Sequence, residues 1–288
     1  MPLFVSEPIV LSPIALLGGI GMLVVALGFF GYALARRLGG WMLLWGALAW
    51  VVTVALKFAW AIPVNRIVYE AAQGLPQPLG NLLFYVYVGA LTGVFEVGLT
   101  WLLLRYTRLG KSAWGGALAF GIGFGAVEAA LLALSPLITV IMALVNPSSL
   151  PAGVLEQFAV LNNPLQGLAP IWERFFTIWV HILSAVLLFY GIRVRQARWF
   201  WLAFLYKTGI DAVAAFAQVS GFISATGTEG LTRIWTIEAL VGLWGVVGWL
   251  GARWVGQHFP TSDAALPTPP AAPTPPVAPR PGGLSPQV

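Results

Sequence analysis

The sequence is a succession of apolar runs of membrane-spanning length, and several of them carry a charged residue near the middle. A run of about 20 apolar residues reads as a transmembrane helix. The two most constraining runs lie between Leu82 and Leu134, joined by a basic turn at Arg105, Arg108 and Lys111. One holds Glu96 and the other Glu128. A carboxylate at the centre of a spanning helix costs about 2.5–3.5 kcal/mol on insertion scales. Two on consecutive helices predict side chains that face a bundle interior and find partners there.

Composition agrees with this reading. The chain is 59% hydrophobic and 9% charged, with a mean hydropathy of +0.85, whereas a soluble domain is about 25% charged. The expected fold class is all-α, a polytopic bundle of about seven transmembrane helices in a lipid bilayer. With no cysteine, disulfides, thiolate metal sites and cysteine nucleophiles are excluded. The net charge of +5 sits mostly at helix ends, so it does not point to nucleic acid.

The predicted spans are Ile9–Ala35, Trp41–Ile62, Leu82–Leu104, Ala113–Leu134, Ile171–Ile192, Trp199–Phe222 and Ile234–Val255. The first lacks a cleavage pattern and reads as a retained helix. Pro63 is expected to end the second, with Trp41 and Trp60 as interface anchors and Lys57 snorkelling outward. Ser135-Pro136 interrupts the fourth, which leaves Leu137–Val145 as a kinked extension or an interfacial piece. Residues 146–170 read as a long loop with a short surface helix over Ala152–Leu161. Glu238 falls about one turn from the outer end of the last predicted span and reads as interfacial.

Residues 1–258 are thus expected to form one transmembrane domain, with its polar core between 82 and 222. Residues 259–288 are expected to form a disordered tail, since ten prolines lie between Pro260 and Pro286 and the segment has no apolar periodicity. Loops one, three and five hold eight basic residues, against Arg66 and Arg233 on the opposite side. The positive-inside rule places the N-terminus outside and the tail in the cytoplasm of a multi-pass plasma-membrane protein.

Chemistry must then come from polar residues within the spans. Glu173, Thr177, His181 and Ser184 share one helix face, as do Lys207 and Asp211, and Thr92, Glu96 and Thr100. Gly121, Gly125 and Ala129 form a small-residue strip that admits a close neighbour. At a rise of about 1.5 Å per residue, Glu96 and Lys207 lie about 12 Å from the cytoplasmic helix ends, His181 and Asp211 about 17–18 Å, and Glu128 about 22 Å. Five ionisable groups therefore occupy one central slab. The plainest reading is a charge-paired cluster in which Lys207 neutralises a carboxylate. The alternative is a functional site.

Four segments carry a resemblance: GVFEVGLTWLLLRYTR, FGIGFGAVEAALL, WERFFTIWVHILSAVLLFYGIR and FLYKTGIDAVAAF. Together they resemble the YhfC-type intramembrane metalloproteases, a family similar in layout to CAAX prenyl proteases and PrsW-type proteases. The resemblance covers most of helices three to six. It implies a hydrolase acting on transmembrane or membrane-bound peptides, with Glu96, Glu128, His181 and Asp211 as catalytic residues. Glu173, Arg174, Lys207, Phe124 and Ser184 would support them. It also implies a divalent metal, zinc, held by His181 with two of Glu96, Glu128 and Asp211, the favoured set being His181, Glu128 and Asp211.

The match to the motifs is partial. Val97 stands at the second glutamate of the first motif, and Thr100 near its arginine. Phe124 occupies the histidine position of the second motif, and Lys207 that of the fourth. A lysine ammonium there would repel a divalent cation and can serve as counter-charge in its place. A metal-free route would use a buried glutamate such as Glu96 as general base. Three readings stay open: an intramembrane protease, active or degenerate; a pseudoprotease that binds membrane partners; or a small transporter or proton-coupled carrier built on the same acid, histidine and lysine cluster.

Overall fold

The computed structural model describes residues 10–225 and 227–260. Of the tail expected over residues 259–288, Phe259 is instead packed in the core, 7% exposed with its ring centre 5.6 Å from that of Trp114, and residues 261–288 lie outside the described residues. Within them the chain is helical, with seven helices long and apolar enough to cross a membrane: α1 Pro13–Ala35, α2 Gly40–Gln73, α3 Leu79–Tyr106, α4 Trp114–Val145, α5 Pro164–Val194, α6 Arg198–Val219 and α7 Gly227–His258. Large apolar side chains such as Leu27, Ile62, Leu205 and Leu243 cover the outside, the surface a bilayer would solvate.

Several helices run further than the sequence suggests, three of them through a proline. α2 passes through Pro63, α4 through Pro136, and α5 starts at Pro164 and passes through Pro170. A proline removes one helical hydrogen bond, but the bundle around a membrane helix tolerates this where the chain in water would break. Leu137–Val145 is therefore the continuation of α4. Similarly, α7 begins at Gly227, seven residues before the expected start. The surface helix forms as Ala152–Ala159 and ends in a 3-10 turn over Val160–Asn162. Asn162 ties the N-terminal segment down, accepting from the Ser12 amide at 2.7 Å and donating to the Val10 carbonyl at 3.0 Å.

α5 is the hub of the bundle. It packs on α1, α4, α6 and α7, while α2 packs on α4 and α3 on α6. Its most apolar stretch is 67% buried, more than in any of the other described spans. Small residues set the close approaches. The strip on α4 meets α5, since a Cβ at Gly121 would lie 2.8 Å from Ile182 Cα and one at Gly125 3.0 Å from Ile178 Cα. On α2 and α4, Gly46 and Gly123 bring the two backbones together. A Cβ at either would come within 2.0 Å of a carbonyl oxygen, of Phe120 and Leu43 respectively. Gly89 and Gly93, four residues apart on α3, admit α6 at Thr208 and Phe204 in the same way. This packing draws α2, α3, α4, α5 and α6 around one polar centre.

Candidate functional site

Glu96 does not sit in an ordinary α-helical turn. Residues Gly93–Gly98 of α3 form a π-helical turn, a widening that is rare in proteins and is frequent at functional sites. It lies where Gly93 meets α6, and Glu96 within it is 4% exposed. Both of its oxygens face ammonium groups. Lys57 Nζ of α2 lies 2.5 Å from Oε1, and Lys207 Nζ of α6 lies 2.9 Å from Oε2.

Lys207 then links Glu96 to α5. Its Nζ is 3.1 Å from His181 Nδ1, and His181 Nε2 is 2.9 Å from Glu128 Oε2. One tautomer satisfies both contacts: Lys207 donates to Nδ1, and Nε2–H donates to Glu128. The indole of Trp50 on α2 donates to the same Glu128 oxygen at 2.6 Å. Arg174 takes the other oxygen with one arm and Glu173 with the second. At the opposite end of the network, Lys57 reaches Thr92 Oγ1 at 3.2 Å, and Thr92 donates to Asp211. The chain of contacts runs Glu173, Arg174, Glu128, His181, Lys207, Glu96, Lys57, Thr92, Asp211, without a break across five helices.

The structure thus brings together the residues read from the sequence, in a definite order. Glu96, Glu128 and His181 offer ligand atoms that all lie within 4.8 Å of one another. Asp211 stands apart from that trio, bonded to Thr92 and 4.0 Å from Lys57. Phe124 lies against His181, with ring centroids 5.2 Å apart at 35°, and Lys207 Nζ is 6.0 Å from the Phe124 ring centre. Ser184 donates to the Val180 carbonyl at 2.8 Å. It lines a void of about 20 Å³ together with Thr100, Phe124 and Lys207.

Two network members differ from expectation. Lys57 does not snorkel outward: it turns inward to Glu96, because a carboxylate within reach in the apolar interior outweighs distant interfacial water. Trp50 joins the network although an indole in an apolar span by itself carries no mark of a polar role. The signal was available in the spacing, since Trp50, Thr53 and Lys57 fall at intervals of three and four on one face of α2. Glu238 also differs. The longer α7 places it about 16 Å from the helix start, 7% exposed inside the bundle.

A cavity of about 480 Å³ opens onto this centre, lined by the network and by Glu238. The residues do not suit a divalent ion. Each candidate ligand atom already has a partner: Lys57 and Lys207 at Glu96, Arg174 and the Trp50 and His181 donors at Glu128, and Lys207 and Glu128 at His181. Lys207 Nζ in particular stands between Glu96 Oε2 and His181 Nδ1, at 2.9 and 3.1 Å, where an ion shared by those two groups would have to lie.

Comparison with known proteins places this arrangement in context. The family model for the YhfC intramembrane metalloproteases matches residues 21–232. An uncharacterized membrane protein, YhfC of Bacillus subtilis (strain 168), is 26% identical over 226 residues, which is 67% of this chain and 82% of that protein. No solved structure matches. The matched region contains the whole network from Trp50 to Asp211, and the chain belongs to the YhfC intramembrane metalloprotease family.

Proposed function

We propose that this chain is a non-hydrolytic member of its family, a pseudoprotease that uses the cavity to bind a membrane-embedded partner. The observation that carries the reading is Lys207. Its ammonium sits 3.1 Å from His181 Nδ1 and 2.9 Å from Glu96 Oε2, bridging two of the three groups that would have to converge on a metal.

The consequences for hydrolysis follow from the same contacts. A general base needs a lone pair free for the attacking water. Both oxygens of Glu96 are engaged by ammonium groups, which withdraw that electron density. His181 has both ring nitrogens engaged. Asp211 is more accessible, with its side chain 33% exposed, but it lies beyond the trio. What remains is a pre-formed, charge-paired pocket in an apolar surround, the character of a binding site.

The test is a membrane-spanning reporter peptide incubated with purified protein and added zinc. The reading expects cleavage no faster than with Glu96→Gln. Cleavage well above that background would overturn it.

A further inference from the structure

Two buried carboxyl oxygens among the described residues lack a hydrogen bond, Glu96 Oε2 and Glu238 Oε2; the first still has the Lys207 ammonium 2.9 Å away, and no ammonium or guanidinium pairs with the second. Glu238 lines the cavity from α7, is 7% exposed, and its Oε2 is buried with no hydrogen-bond partner. With Glu238 included, five carboxylates and three fixed cations line the same space. The cations are committed: Lys57 and Lys207 to Glu96, and Arg174 to Glu128 and Glu173. The excess is therefore acidic. It falls on Glu238 and on the more accessible carboxylates, Glu173 and Asp211, whose side chains are 37% and 33% exposed. The cavity wall also carries aliphatic side chains, Ile237 and Val241 on α7 and Leu132 on α4. A buried carboxyl oxygen without a donor is costly in either charge state, and a donor cation brought to it relieves that cost.

We propose that the cavity is a binding site for a primary ammonium group on an aliphatic chain. Glu238 holds the ammonium with Glu173 nearby, and Ile237, Val241 and Leu132 hold the chain. The proposal rests on the reading of the cavity as a binding site and names the chemistry of what enters it. An ammonium has three donors, enough to satisfy the open oxygen of Glu238 and a second acceptor. A divalent ion suits the site less well, because Arg174, bonded to Glu173, would repel it more strongly.

The same chemistry is offered by a free alkylamine and by a lysine on a membrane-spanning segment, and two probes separate them. The first is dodecylamine, compared with dodecanol. The second is a leucine-rich spanning peptide with one central lysine, compared with its norleucine counterpart. Binding to the full-length protein in nonionic detergent is read by thermal shift and by tryptophan fluorescence. The proposal expects at least one amine to bind tenfold or more tightly than its neutral counterpart, and Glu238→Gln to remove that preference. Glu70→Gln, outside the cavity, should keep it. A diazirine-bearing alkylamine or lysine peptide should crosslink wild-type protein on α4, α5 and α7 at the cavity wall, which keeps the test open should Glu238→Gln fold poorly. Preference for the dodecylamine pair alone assigns the site to an amphiphile, and for the peptide pair alone to a lysine. The proposal is overturned by equal binding of amine and neutral probes, by an undiminished preference in a folded Glu238→Gln protein, or by crosslinks elsewhere. Peptide cleavage would sink the non-hydrolytic reading and leave the amine preference standing, so the two failures are distinguishable.

Discussion

Lys207 Nζ and His181 Nδ1 lie 3.1 Å apart in the centre of the bundle, an ammonium donating to the ring nitrogen that would otherwise be free for a metal. Both residues are 4% exposed. From this contact the Glu128 side of the network extends one way and the Glu96 side the other.

Removing Lys207 should therefore cost stability. Lys207→Ala leaves Glu96 and His181 without a shared partner, and breaking a buried pair typically costs about 3–5 kcal/mol. Denaturation of the variant in detergent should show a loss of that order. An unchanged midpoint would mean that the ammonium contributes little to holding the helices.

Trp50 is the donor from α2 to Glu128, at 2.6 Å. Trp50→Phe keeps most of the ring and deletes the indole N–H. A hydrogen bond to a charged group is worth about 1.5–3 kcal/mol, and the variant should lose about that much. A neutral result would indicate that Arg174 and His181 alone satisfy Glu128.

Gly123→Ala tests the approach of α4 to α2. The added methyl would meet the Leu43 carbonyl oxygen at 2.0 Å, and backbone atoms cannot rotate away. Overpacking of this kind typically costs about 1–3 kcal/mol. Gly28→Ala, where a Cβ meets nothing within 4 Å, serves as the matched control and should be close to neutral.

The loop charges predict orientation, and the absence of cysteine makes the test clean. A single cysteine at exposed Ser149 should react with a membrane-impermeant maleimide in intact cells, and one at exposed Ala197 should be protected. The reverse pattern would invert the topology.

Much of this arrangement was legible in the sequence. The seven spans followed from apolar length. Glu96, Glu128, His181, Lys207 and Asp211 could be placed at one depth from helical rise, and the strip of Gly121 and Gly125 marked a close approach by some neighbouring helix, which the structure identifies as α5. What escaped depends on tertiary context. Pro63, Pro136 and Pro170 look like helix ends because the rule for proline assumes a helix standing alone. Glu238 looked interfacial because the polar start of α7 hid its true beginning at Gly227. The inward turn of Lys57 required knowing that Glu96 lies within 2.5 Å, and the π-helical turn around Glu96 has no sequence signature. The proximity of Glu96 to His181 and Glu128, closer than that of Asp211, is a fact of helix rotation that one-face spacing does not fix.

The central claim is that Lys207 occupies the place of a metal, and metal content measures it most directly. Wild-type protein purified without chelator and exposed to zinc should carry far less than one zinc per chain by elemental analysis. The double variant Phe124→His with Lys207→His should bind zinc, since both positions adjoin His181, with Phe124 at 5.2 Å between ring centres and Lys207 at 3.1 Å. Stoichiometric zinc in the wild-type protein would contradict the account.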